Sequence, residues 1–145
     1  MTNDKVEMIN IYTDGGSRGN PGPSAIGVFI EDSSGVKLWQ LGKKTGYGTN
    51  NAAEYLAIEQ GLQWIVENKS SYSNLSVVNF YMDSQLAVLQ LNGLYKVKNP
   101  QIRDKIFKIR QKEAGLSFKI TYSHVSREQN KKADRLVNLA LDNKI

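Results

Sequence analysis

The sequence predicts a mixed α/β domain spanning residues 1–145: a five-stranded sheet whose first three strands are antiparallel, with helices on both faces. Three observations predict it. Apolar and polar residues alternate with a period of two through the first third of the chain. From Asn51 the apolar residues recur at helical spacing. Turn-forming stretches then divide the rest into alternating strand and helix patterns, giving the order βββαβααβα.

"EMINIYTD" reads as the first strand and ends on Asp14, "SAIGVFIED" as the second and "VKLWQLGKK" as the third, with "DSSG" as the turn between the last two. From Asn51 to about Lys69, Ala53, Leu56, Ala57, Gly61, Trp64 and Ile65 follow a helical stripe, and Thr49 or Asn50 offers the cap. "SYSN" breaks the chain, and "LSVVNFYMD" is a fourth strand ending on Asp83. "SQLAVLQLNG" fits a short helix closed by Gly93. "NPQIRDKIFKIRQKEAG" fits a longer one, with Pro100 in its first turn and Gly115 past its end. "LSFKITYSHV" is the fifth strand and "EQNKKADRLVNLALDN" the final helix. Short turns make the first three strands an antiparallel meander. The later strands enter through helical crossovers and therefore run parallel to the first.

Composition narrows the function classes. The chain has 145 residues, 40% hydrophobic and 23% charged, as expected of one globular domain with its own core. It has no cysteine, which excludes disulfides and thiolate metal sites and is compatible with a reducing cytoplasm. No apolar run approaches a membrane span, and the polar start "MTNDKVEMIN" is unlike a secretory signal. The net charge of +5 is unevenly distributed. Residues 1–95 carry nine acids against six bases, whereas residues 96–135 carry twelve bases against four acids. That asymmetry fits a polyanion held beside fixed carboxylates, and equally a solvated lysine-rich helix.

Four carboxylates carry the chemistry. Asp14 and Asp83 end two strands that the topology makes parallel, so both emerge at the edge where α/β sheets bind ligands. Glu54 and Asp134 each lie one turn into a helix. Singly, each has an ordinary explanation: aspartates begin turns, and acids near a helix N-terminus complement the macrodipole. Gathered at one edge they would repel one another unless cations neutralised them. Hard divalent cations take oxygen ligands, and a pair of such ions suits phosphodiester cleavage.

"YTDGGSRGNPGPSAIG", "TNNAAEYLA", "MDSQL" and "REQNKKADRL" resemble, in order and over nearly the whole chain, the four signature segments of ribonuclease H, type 1. The resemblance implies the ribonuclease H-like fold. It also implies hydrolysis of the RNA strand of RNA–DNA hybrids with two divalent ions, Mg²⁺ or Mn²⁺, leaving 5′-phosphate and 3′-hydroxyl ends. Asp14, Glu54, Asp83 and Asp134 would be the metal-binding and catalytic carboxylates, with Asp14 bridging both ions. Gly15, Gly16 and Asn20 would let the backbone meet the minor groove and its 2′-hydroxyls. Asn50, Asn51 and Gln85 match positions that hydrogen-bond sugars and base edges, and Thr49 matches a contact to a DNA-strand phosphate.

The chain departs from the better-known bacterial pattern in two places. Members with that pattern carry an auxiliary histidine in a glycine-containing loop before the last aspartate, and His124, ten residues before Asp134, is the one candidate for that role. However, "YSHVSREQNKKAD" contains no glycine and runs almost directly from strand to helix, which leaves His124 as a half-buried strand residue. It then resembles the short-loop, archaeal-like branch, in which an arginine seven residues before the last aspartate sits near the site. That residue is Arg127, whose guanidinium would act electrostatically and not as a base. The stretch "LNGLYKVKNPQIRDK" is too short for a basic, tryptophan-containing protrusion, so Lys96, Lys98, Arg103 and Lys105 would supply a smaller substitute. With the first strand beginning near Met8, no separate hybrid-binding module is expected. A monomer is expected, and double-stranded RNA stays open as a second substrate.

Other readings share parts of this pattern. A silent binding domain would gain nothing from four acids facing phosphates. Recombinases, integrases and exonucleases of the same superfold lack the "NPG" segment after the first aspartate. An actin-like ATPase needs a second domain to enclose its nucleotide.

Overall fold

The alternation in the first segment produces a strand, β1 (Met8–Ser17), in which Ile9, Ile11 and Thr13 are buried and the residues between them are half-exposed. The computed structural model describes residues 3–145, so Met1 and Thr2 of the polar start lie outside the described residues. β1 pairs antiparallel with β2 (Gly22–Asp32), and β2 in turn with β3 (Lys37–Gly48). All three strands are longer than the pattern predicts. β1 continues past Asp14 through Gly15, Gly16 and Ser17, pairing them with Ile26, Ala25 and Ser24. Glycine lowers strand propensity, so the period ends at Asp14 while the ladder does not.

The change of period marks helix α1 (Asn50–Asn68). Thr49 is its N-cap, the hydroxyl accepting from the Ala52 N–H at 3.1 Å. The chain returns through β4 (Val77–Met82), then α2 (Gln85–Leu91) and α3 (Pro100–Ala114), each capped by a side-chain oxygen of the preceding residue, Ser84 and Asn99. β5 (Lys119–His124) leads through a 3₁₀ turn, Glu128–Asn130, into α4 (Lys131–Leu141).

The sheet order is β3-β2-β1-β4-β5, with β4 parallel to β1 and β5 parallel to β4. Residues of β2 divide the core between the two faces. Ile26, Val28 and Ile30 pack with Tyr55, Ile58, Leu62 and Ile65 of α1, together with α2 and α3. Ala25 packs with Val137 and Ala140 of α4 on the other side. Burying one apolar face of each helix against the sheet is what holds both layers. Among the described residues no helix is long and apolar enough to cross a membrane.

Candidate active site

The parallel pairing of β1 with β4 stops at Tyr12 opposite Tyr81. Two residues further along each chain stand Asp14 and Asp83, so one register fixes two of the four acids. Glycine positions the other two. A Cβ on Gly15 would lie 2.2 Å from the Ala53 carbonyl carbon and 2.3 Å from the Glu54 nitrogen, a separation only a hydrogen permits. α1 therefore rests directly on β1 and brings Glu54 beside Asp14. Gly27, paired with Asp14 across the ladder, would place a Cβ 2.2 Å from the Ala133 carbonyl oxygen. α4 therefore sits down on β2 with Asp134 in its first turn.

Asn130 completes the framework, and the motif reading missed it. It is fully buried in the 3₁₀ turn before α4, and its Nδ2 donates to the Thr13 carbonyl at 2.9 Å. The peptide preceding Asp14 is thereby tied to the start of the helix that carries Asp134. Oδ1 of Asn130 is buried without a partner. A buried asparagine inside a charged stretch, "REQNKKAD", is the available signal, although its burial depends on the tertiary fold. Asn130→Ala leaves the Thr13 carbonyl without its donor and is expected to cost about 1–3 kcal/mol. A lowered urea midpoint at constant slope would show this, and an unmoved midpoint would remove Asn130 from the framework.

Electrostatics couple the four acids. Burial pushes the Asp14 carboxyl up to about 8, and the charges of Asp83, Asp134 and Glu54 add to it, as does a hydrogen bond with Asp134. Burial likewise pushes Glu54 up to about 7, opposed by a hydrogen bond from Ser84 and reinforced by Asp83. The four line one groove of about 470 Å³. Arg127 lines it too, with Nε 3.9 Å from Asp83, while its side chain is 86% exposed and free to reorient.

The remaining predicted residues divide. Gly15, Gly16 and Asn50 line the same groove. Asn20, Thr49, Asn51 and Gln85 lie outside its lining, as does His124. His124 is the last residue of β5 and is exposed, where the sequence reading had it half-buried. Asn20 and Asn50 serve the fold: the Asn50 N–H donates to Asn20 Oδ1 at 3.0 Å, and Asn50 Oδ1 accepts from the Ser17 N–H at 2.8 Å. Gly16 differs from Gly15, because a Cβ there would find only ordinary contacts at 3.7 and 3.9 Å. Thr49 and Lys105 line a separate cleft between α1 and α3.

The donor set fits hard divalent cations. All four groups are carboxylates, and the upward shift of Asp14 comes first from burial and then from its charged neighbours, a combination that bound cations would offset. Among the described residues no three such side chains close into a cage by themselves. An open array of this kind suits Mg²⁺, which takes one or two carboxylates and completes its shell with water and substrate phosphate.

Comparison with known proteins places this geometry. Residues 12–140 match the reverse transcriptase-like family model. Ribonuclease HI of Halobacterium salinarum is 35% identical over 140 residues, covering 96% of this chain and 67% of that one. The bifunctional protein Rv2228c of Mycobacterium tuberculosis is 41% identical over 134 residues, covering 91% of this chain and 35% of that one. The chain thus spans about two thirds of the first relative and about a third of the second. The crystal structure of LC11-RNase H1, isolated from compost, in complex with an RNA/DNA hybrid superposes with a TM-score of 0.88. It shares 40% identity and covers 94% of this chain and 98% of that one.

Proposed function

The chain belongs to the ribonuclease H, type 1, family, and from that premise we propose that residues 1–145 form one metal-dependent endonuclease domain hydrolysing the RNA strand of RNA–DNA hybrids. One observation carries the reading: four carboxylates, on β1, on α1, just past β4 and on α4, line one groove, where burial and the charges of the other three raise Asp14. A binding module would have no use for that repulsion. The hybrid seated on LC11-RNase H1 supports the substrate class.

In this reading Asp14, Glu54, Asp83 and Asp134 would together hold two divalent ions. Mg²⁺ or Mn²⁺ held there would supply activation of an attacking water and charge neutralisation at the departing oxygen, consistent with 5′-phosphate and 3′-hydroxyl ends. The protein's part is positioning. Ser84 donates to Glu54 and fixes its carboxylate, and the close approach at Gly15 sets the Glu54-to-Asp14 spacing. Gly16, where a Cβ would meet only the side chains of Val137 and Asn50 at ordinary distance, lines the groove and would offer its backbone to a sugar edge. Asn20, Asn50, Asn51 and Gln85 would meet the minor groove, with Thr49, and Lys105 beside it, on the DNA-strand phosphate. Arg127, exposed at the groove and loosely held by Asp83, has the freedom to move onto the scissile or leaving phosphate. We assign the protein to the cytoplasm as a monomer, the first on its cysteine-free composition.

Cleavage of a hybrid labelled separately on each strand, with Mg²⁺ or Mn²⁺, tests the reading. Only the RNA strand should be cut, and a parallel double-stranded RNA defines the substrate range. Hybrid bound but uncut with either ion would instead make this a binding domain. In the same assay Arg127→Ala is expected to lower kcat about tenfold or more, while His124→Ala stays within about twofold. The reverse order would transfer the auxiliary role to His124.

A further inference from the structure

The groove has a second arginine that the motif analysis did not use. Arg18 lies in the connection between β1 and β2 and is one of the residues lining the same groove as the four carboxylates. Its backbone is anchored, the N–H donating to the Pro23 carbonyl at 2.9 Å. Its guanidinium pairs with Asp142 at 2.6 Å. Asp142 is the C-cap of α4, whereas Asp134 lies in the first turn of that helix. At 1.5 Å rise per residue the two acids stand about 12 Å apart along the axis. Arg127 precedes α4 and Arg18 meets its far end, so the arginines bracket the carboxylates from opposite ends of one helix.

We propose that Arg18 binds a backbone phosphate of the hybrid, within a few nucleotides of the cut, and that Asp142 occupies it until substrate arrives. The proposal rests on the hydrolase reading above and adds a substrate contact to that site. Two features favour exchange over a fixed clasp. The side chains are 49% and 40% exposed, so water and salt screen the pair and breaking it costs little. Asp142 also sits at the negative end of the α4 dipole, where a carboxylate gains nothing from the helix itself. A backbone phosphodiester offers the guanidinium a bidentate partner of the same charge as the carboxylate, and binding it adds the release of counterions from the nucleic acid. The acid that holds Arg18 at rest also repels an incoming phosphate, so it works against substrate binding.

Steady-state cleavage of a hybrid across a salt series, for wild type, Arg18→Ala, Asp142→Asn and the double variant, tests this. Arg18→Ala should raise KM about tenfold, with the loss falling on KM and not kcat. The dependence of log KM on log salt should become shallower by about 0.7–0.9, the contribution of one phosphate. Asp142→Asn should lower KM, and that gain should vanish in the double variant. Single neutral methylphosphonates walked along the RNA strand, and separately along the DNA strand, identify the phosphate as the position whose penalty disappears in Arg18→Ala. A wild type that cuts no hybrid defeats the hydrolase reading. A wild type that cuts, with KM and salt slope unmoved in Arg18→Ala, defeats this proposal alone. Asp142→Asn keeps the side-chain shape and decides the matter by itself if Arg18→Ala melts early. A raised or unchanged KM in that variant would mark the pair as structural.

Discussion

Asp14→Asn is expected to lower kcat on an RNA–DNA hybrid by about 10³-fold or more while making the metal-free protein more stable at pH 8. The two effects share one cause. Asp14 is buried among three other carboxylates, which raises its pKa in the folded state to about 8. In the unfolded chain it titrates near 4. Between those values the folded protein binds a proton that the unfolded chain has released, so stability falls as pH rises. The stability available near pH 4 is lost progressively and is gone once pH passes 8. Glu54, raised to about 7, adds to the same slope. Asparagine keeps the shape and removes the charge. The metal-free variant should therefore be more stable than wild type at pH 8, by roughly 1–3 kcal/mol, with the difference shrinking towards pH 4. Divalent cations should raise the melting temperature of wild type more than that of the variant, since a bound ion stabilises the fold by mass action. Melting curves at pH 5 and 8, with and without Mg²⁺, check all of this. Equal pH slopes in the two proteins would show that the acid cluster stores no such repulsion.

The acids could be read from the sequence because each lies beside a signal that is local in the chain. Asp14 and Asp83 follow apolar alternation, and Glu54 and Asp134 fall in helices whose caps or charge pattern announce them. The topology then required only that β1 and β4 be parallel, which the helical crossover supplies. What stayed hidden depends on contacts between distant positions. The sequence reading took Gly15 as letting backbone meet a nucleic acid; the structure shows a second demand for glycine there, since the backbone of α1 fills the space a Cβ would take. The two explanations leave the same letter in the sequence. Asn130 reaches Thr13 across 117 positions, and Arg18 reaches Asp142 across the folded sheet, so no window of residues contains either pair. The end of β1 was missed for a related reason. Its last three residues are held by their ladder with β2 despite their poor strand propensity.

The adjacent glycines Gly15 and Gly16 give the sharpest separation of framework from substrate surface. Gly15→Ala is expected to cost several kcal/mol, at or above the roughly 1–3 kcal/mol typical of an overpacked core. The new methyl would sit within 2.5 Å of three backbone atoms of Ala53 and Glu54, and a helix backbone cannot move aside as a flexible side chain can. α1 must shift, and Glu54 shifts with it, so any protein that still folds should show a kcat loss of about 10² or more. Gly16→Ala meets nothing closer than 3.7 Å, and φ at Gly16 is not positive. Its stability should stay within about 0.5 kcal/mol of wild type. Its penalty should appear in KM, because the methyl occupies the space offered to the hybrid. Urea denaturation and steady-state kinetics on both variants decide the point. If Gly15→Ala is stable and loses only substrate affinity, the close approach of α1 to β1 is not what fixes Glu54, and the original reading of that glycine stands. If Gly16→Ala unfolds the protein, the open backbone at that position belongs to the fold and not to the substrate.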